Sequence, residues 1–216
     1  MALRLGVFRT GALSTGRVEA FSDGVLAVVI TLLVLDIKLP GNLRTDSEIW
    51  RALEHVAPVL AAWVVSFAFV LTFWINHHYF FESLKHTDRG LLWLNGFFLL
   101  CITLIPFPTG LVGQYTGLRA PLAMLSGAMM LASLSFALMR LYATFHGRLL
   151  KEHIDVRQQR LAMAQSAVAP VLYALATCLS YYWPPGAIGI LVLVLVLFFL
   201  RSPIRHVPSP DAQPAS

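Results

Sequence analysis

Six long apolar stretches, separated by short polar or proline-containing breaks, dominate the hydropathy pattern of the chain. Five of them reach the roughly 20 residues that a helix needs to cross a bilayer core of about 30 Å, and the sixth is slightly shorter. The pattern therefore predicts an all-α integral membrane protein with six transmembrane helices. The predicted spans are residues 18–38, 53–81, 90–113, 120–144, 160–183 and 185–200.

Prolines mark two irregular points in this pattern. Pro106 and Pro108 fall inside the third span, where we expect a kink or freed backbone carbonyls, with a structural kink favoured. Between the fifth and sixth spans, Pro184 and Pro185 leave room only for a tight hairpin. The neighbouring Trp183 suits the aromatic belt at a membrane surface.

Composition supports a membrane protein and suggests three regions. Hydrophobic residues make up 57% of the chain and charged residues 12%. We expect a cytoplasmic N-terminal segment at 1–16, a six-helix transmembrane domain at 17–201 and a disordered cytoplasmic tail at 202–216. Both cysteines, Cys101 and Cys178, lie within apolar stretches, which predicts packing residues rather than a disulfide or a metal site.

The distribution of basic residues predicts the orientation. A net charge of +5 is compatible with nucleic-acid binding, but in a membrane protein the position of Lys and Arg matters more. In the predicted topology one side carries only four basic residues, Lys38, Arg44, Arg51 and Arg119. We therefore expect a multi-pass protein of the cell membrane with both termini cytoplasmic, in contact with the lipid bilayer and with no nucleic-acid partner.

Acidic residues are placed in a way that favours passive conduction over coupled transport. None of the eleven is predicted at mid-depth in a span, whereas proton-coupled transporters usually place ionisable relays there. The chain also lacks a Thr-Val-Gly-Tyr-Gly loop of the kind that forms carbonyl-lined potassium filters. Any ion selectivity would have to come from side chains.

One stripe of the first span offers such side chains. Val28, Thr31 and Leu35 recur at i, i+3 and i+7, so they share one helix face over about 10 Å. Copies of this helix around an axis would stack apolar, hydroxyl and apolar rings, which can gate by dewetting and replace part of an ion's hydration shell. The alternative is ordinary packing, with the Thr31 hydroxyl bonded to a carbonyl one turn earlier.

The first span also carries a motif that resembles a known family. The spacing Arg17-x-x-x-Phe21-Ser22-Asp23, followed by an apolar run, closely resembles the first helix of the transmembrane protein 175 family of potassium channels. The resemblance implies a potassium-selective, leak-type channel, not an enzyme, with permeant potassium and no cofactor. It also implies that the first helix lines the pore, with Val28, Thr31 and Leu35 at the narrow part.

A second stretch, residues 73–79 (Phe-Trp-Ile-Asn-His-His-Tyr), resembles the family's second helix. By this resemblance Trp74, Asn76 and His77 would brace the motif by hydrogen bonds toward Ser22 or Asp23. A looser match continues at residues 94–95 and 104–107, so the resemblance covers roughly the first half of the chain. An alternative interpretation remains open, in which the Arg17 side chain only snorkels to the membrane interface and Ser22 and Asp23 only cap a helix.

One helix cannot surround a pore, so the channel interpretation requires a symmetric assembly. The resemblance implies a homotetramer for a chain with a single six-helix unit. Two alternatives stay open: an intramembrane enzyme that uses His77 or His78 with Glu82 nearby, and a non-conducting scaffold. A metal site at the adjacent histidines is disfavoured, because neighbours on a helix point about 100° apart.

Overall fold

The computed structural model describes residues 14–145, 149–151 and 156–201. Within these ranges the regular elements are seven α-helices and one 3₁₀ turn, and the sole extended pairing is a bridge between Leu84 and Leu150. The predicted tail, 202–216, and most of the predicted N-terminal segment lie outside the described residues. The helices are α1 (Thr15–Leu32), α2 (Asp46–Glu82), α3 (Arg89–Thr103), α4 (Pro106–Gln114), α5 (Arg119–Phe145), α6 (Val156–Tyr182) and α7 (Pro184–Arg201), with the 3₁₀ turn at Leu33–Asp36.

These elements form six apolar segments, because the 3₁₀ turn extends α1 and because α3 and α4 together make the third segment. Five segments of the described chain are long and apolar enough to cross a membrane. The sixth has a shorter apolar part, Pro184–Phe199. The prediction of an all-helical, multi-pass membrane protein is confirmed, and the predicted boundaries agree to within a few residues except at the start of α2.

The second helix begins earlier than the hydropathy pattern indicates. A capping box starts it at Thr45, whose hydroxyl accepts from the Glu48 amide while the Glu48 carboxylate accepts from the Thr45 amide. Its 37 residues amount to about 55 Å at 1.5 Å per residue, well beyond the hydrocarbon core. This helix therefore extends past the hydrocarbon core of the bilayer. It packs against α1.

The third segment breaks where the prolines predicted a kink. The helix α3 ends at Thr103, and α4 restarts at Pro106, the position in a helix where a missing N–H costs least. At the junction the amides of Leu104 and Ile105 bond three residues back, to the Cys101 and Ile102 carbonyls. The break is thus a tightened turn, and α4 is free to pack separately against α2.

The most enclosed segment is α5, which packs against α3, α4 and α6. In the most apolar stretch of α5, 61% is buried, whereas in that of the first segment 28% is buried. An aromatic cluster fills the space between α2, α3 and α5, with Phe80 and Phe98 both packed on Phe136. The first segment contacts mainly α2 and α3, so it lies at the periphery of the protomer.

Candidate functional site

One face of α1 is exposed along its whole length. Arg17, Phe21, Gly24, Val28 and Thr31 recur at intervals of three or four residues, and all are exposed. The opposite face is buried against the protomer. It contributes Val18, Ser22, Leu26 and Val29. An apolar helix with one bare face needs a neighbour there: lipid, another subunit or a pore.

The three residues predicted at the constriction lie on this bare face. Val28 is 56% exposed and Leu35 is 63% exposed, so neither packs within the protomer as the alternative interpretation required. Leu35 belongs to the 3₁₀ turn rather than to the α-helix. The tighter turn rises about 2.0 Å per residue, which increases the separation of Val28 and Leu35 along the axis from about 10 Å to about 12 Å.

The Thr31 hydroxyl donates its proton to the Val28 carbonyl oxygen at 2.8 Å, as the packing alternative expected. This bond has a second consequence. Because the proton is directed at the backbone, the hydroxyl oxygen presents its remaining lone pairs away from that carbonyl. The exposed face therefore offers an oxygen acceptor between two apolar side chains.

The buried face of α1 is held by a chain of hydrogen bonds through three helices. Nε2 of His77 on α2 lies 2.9 Å from Oδ1 of Asn95 on α3. The Asn95 amide nitrogen donates to the Ser22 hydroxyl oxygen at 2.9 Å, and that hydroxyl donates to the Val18 carbonyl at 2.9 Å. This direction requires the proton of a neutral His77 to be on Nε2. All three side chains are buried.

A second tether lies one residue further along α1. The Trp74 indole N–H donates to Oδ1 of Asp23 at 2.9 Å, and its ring stacks on His78 with centroids 5.9 Å apart. His78 in turn lies 2.8 Å from a carboxylate oxygen of Glu19 and 3.5 Å from one of Glu82. Polar contacts from α2 therefore reach α1 at two successive turns, through Glu19 and Asp23.

The structure differs from the sequence-based interpretations at three points. His77 bonds Asn95 and reaches Ser22 only through that amide. The Asn76 amide donates to the Thr72 carbonyl of its own helix, so it does not bond toward Ser22 or Asp23. The helix α1 begins at Thr15, so Ser22 and Asp23 lie in its interior and do not cap it. The spacing of residues 73–79 does not show which of these side chains faces α1, because a one-residue step on a helix rotates a side chain by about 100°.

Three participants in these contacts were not assigned a bracing role from sequence: Asn95, Glu19 and His78. Asn95 is a lone amide in the apolar third segment, and a buried amide needs partners, which is the signal that could have found it. The His77 ring is enclosed by Phe81 and Phe98, with centroids 4.4 Å and 5.5 Å away. The enclosed His77 has no solvent-exposed surface, and the described residues contain no group of three or more potential metal ligands.

Comparison with known proteins adds an independent line of evidence. The sequence profile described as endosomal/lysosomal potassium channel TMEM175 matches residues 17–106, which span the motif and both helices that brace it. A protein named as a potassium channel in Chamaesiphon minutus is 33% identical over 192 residues, covering 87% of this chain and 95% of the relative. The chain belongs to the TMEM175 family. The resemblance drawn from the Arg17 motif is confirmed.

Other TMEM175 relatives extend the match over nearly the whole chain. A Streptomyces collinus protein named as a potassium channel is 33% identical over 206 residues, covering 91% of this chain and 98% of the relative. A crystal structure described as a lysosomal potassium-selective TMEM175 homolog from Chamaesiphon minutus superposes with a TM-score of 0.77 at 31% identity. It covers 87% of this chain and 97% of that one. The TMEM175 fold therefore includes α5 to α7, where no sequence motif was recognised.

Proposed function

We propose that this TMEM175 protein is a potassium-selective, leak-type cation channel whose pore is lined by the first helix of each subunit. The observation that carries the proposal is the two-sided character of α1. One face is tied to α2 and α3 by buried and partly buried hydrogen bonds, and the other bears exposed Val28, Thr31 and Leu35. The potassium-channel names of the relatives support this function.

Conduction through such a stripe would be controlled by hydration. Rings of Val28 and Leu35 would form apolar constrictions that empty of water when closed. The Thr31 oxygens between them would replace part of the hydration shell of a potassium ion, since their protons are committed to backbone carbonyls. No cofactor or intramembrane proton relay is needed for this passive process.

The assembly that we infer is a homotetramer in the cell membrane. A pore lined by one helix per chain requires several copies around an axis, and α1 lies at the periphery of the protomer, where it can face such an axis. The excess of Lys and Arg on one side of the six segments supports cytoplasmic termini. Monovalent cations and lipid are then the partners of the complex.

Ion flux tests the proposal directly. Purified protein in liposomes, with potassium inside and sodium outside, should release potassium faster than protein-free vesicles do. Val28→Asn should raise the flux by wetting the constriction, and Thr31→Val should change the potassium-to-sodium ratio. The matched control is Val64→Asn, the same change at an exposed valine of α2.

The outcomes separate the interpretations. Equal effects of Val28→Asn and Val64→Asn would remove the α1 stripe from the pore. Absence of flux from folded, oligomeric protein would reject the channel and leave the scaffold interpretation.

Subunit count is tested separately, by native mass spectrometry from mild detergent. We expect the mass of four chains. A monomer that still conducts in liposomes would contradict the symmetric pore.

A further inference from the structure

A second feature of the protomer lies away from α1. A cavity of about 200 Å³ opens between α2, α5, α6 and α7. No residue of α1 lines it, so it is separate from the candidate pore face. For comparison, an engineered apolar cavity of about 150 Å³ takes up benzene. The space is sufficient for part of a small ligand or of a hydrocarbon chain.

The cavity has a polar end and an apolar end. Tyr79 and Arg140 line it near the ends of α2 and α5, which come together at the bridge between Leu84 and Leu150. Phe69 lines it about 15 Å deeper along α2, at 1.5 Å per residue. Leu172 and Val194 complete the deep, apolar part. This arrangement is that of a site for an amphiphile.

Arg140 is the residue of the cavity that favours an anionic ligand. Its guanidinium lies over the rings of Phe80 and Phe136, 5.4 Å from each centroid. Its Nε is buried, and no described residue supplies that atom with a hydrogen-bond acceptor. The described residues that line the cavity include no acidic side chain. A cation within a membrane-spanning segment usually has a partner, and the cation–π contacts leave the buried Nε donor unused.

The cavity is also accessible from outside the protomer. Tyr79, Gln165 and Val168 line it and are exposed, so an opening lies between α2 and α6. The lining that contains Arg140 also includes the neutral polar side chains of Asn76, Gln165 and Ser166. Such side chains can hydrogen-bond a phosphate oxygen without adding a competing charge.

We propose that this cavity binds an anionic phospholipid, with its phosphate on Arg140 and one acyl chain along the apolar wall. The proposal goes beyond the channel function and does not depend on it. A guanidinium pairs well with a phosphate because its N–H groups match two of the oxygens. The membrane supplies the ligand, since the opening faces the surroundings of a helix bundle that spans the bilayer.

Lipid retention measured by native mass spectrometry tests the site. The purified oligomer is exchanged into detergent with phosphatidylglycerol, phosphatidylcholine or inorganic phosphate, and bound molecules per subunit are counted. We expect phosphatidylglycerol to be retained in preference to phosphatidylcholine. Arg140→Gln should weaken its binding about tenfold, the loss expected for a hydrogen bond to a charged group. The control Lys151→Gln removes an exposed positive charge near the same helix ends and should have no such effect.

A second variant keeps the charge and fills the space. Ala169→Leu adds bulk to a buried position in the cavity wall, and it should also lower phosphatidylglycerol retention. It keeps the test valid if Arg140→Gln does not fold. Equal retention by Arg140→Gln and Lys151→Gln, or by Ala169→Leu and the unmodified protein, would overturn the proposal. Binding of inorganic phosphate with no preference for phosphatidylglycerol would also overturn it.

Discussion

At the residue scale, Ser22 shows how one hydroxyl orders a whole helix interface. It donates to the Val18 carbonyl and accepts from Asn95, so both of its hydrogen-bonding roles are used in a buried position. Asn95 is used on both sides of its amide, by Ser22 and by His77. Ser22 and Asn95 each donate one hydrogen bond and accept another, so the direction of every hydrogen bond in this series is determined. The rotation of α1 about its own axis is thereby restricted.

Replacement of Asn95 by leucine should destabilise the protein more than the small change in side-chain volume suggests. The change keeps a similar volume but leaves the His77 Nε2 proton buried without a partner, at about 1–3 kcal/mol, and removes the donor that the Ser22 oxygen accepts from. We expect a lower midpoint of thermal unfolding in detergent. The matched control is Thr103→Val on the same helix, where an exposed hydroxyl bonds only the Leu100 carbonyl. An Asn95→Leu protein as stable as this control would show that the chain of bonds is dispensable.

Trp74→Phe should loosen α1 without loss of the aromatic ring. It removes the N–H that reaches Asp23 but keeps an apolar ring near His78. If this tether positions α1 for conduction, the variant should alter potassium flux from liposomes more than it alters the unfolding midpoint. Trp93→Phe, at a residue of α3 that is 72% exposed, is the control. The same flux from both variants would contradict a positioning role.

At the element scale, the break between α3 and α4 lets α4 approach α2 closely. Gly113 makes this contact possible, since a Cβ atom at that position would lie 2.6 Å from the Val59 Cα. Backbone cannot yield to such an overlap as the end of a long side chain can. A side chain at Gly110 would likewise meet the Asp36 carboxylate, at 2.6 Å, so α4 also contacts the end of the first segment closely.

Gly113→Ala should therefore separate α4 from α2 and destabilise the protein by about 1–3 kcal/mol, the usual cost of overpacking. Gly96→Ala is a matched change at a glycine of α3 whose new methyl group would meet nothing within 4 Å. It should be neutral or stabilising by up to about 1 kcal/mol, because alanine favours helix. Thermal unfolding of the two variants side by side measures the difference. Equal stability would mean that the close approach of α4 is not needed.

At the scale of the whole molecule, the central helix α5 and the peripheral helix α1 have different roles. The buried share of α5 is about twice that of the first segment, so α5 organises the protomer while α1 remains available to face an axis. The membrane orientation that we expect for this arrangement is based on charge, since Lys and Arg resist transfer across the bilayer. In that orientation the loop at 37–44 is on the side that is poor in basic residues, and Lys151 is on the other.

Cysteine labelling tests this orientation in cells. On a Cys178→Ser background, Gly41→Cys should react with a membrane-impermeant maleimide in intact cells. Lys151→Cys should react only after the cells are permeabilised. Cys101 is buried and should remain unlabelled both in intact and in permeabilised cells. The reverse pattern of labelling would place the termini outside and reject the predicted orientation.

The number, approximate bounds and membrane character of the segments were determined by the sequence alone. Burial of about 20 apolar residues per helix in lipid outweighs any tertiary preference, and the prolines at 106 and 184 mark the breaks because they lack an N–H. The Arg17 motif likewise identified the family before any contact was known. Long-range order was not needed for either result, since both depend on residues close together in the chain.

Only the tertiary structure decided which polar side chains meet. Asn95 joins Ser22 to His77, whereas Asn76, one position before His77, bonds its own helix. The sequence places Asn76 and His77 side by side, but the rotation of α2 against α1 and α3 determines which of them faces inward. That rotation is a property of how three helices pack, to which residues distant in the chain contribute together, and no local pattern records it.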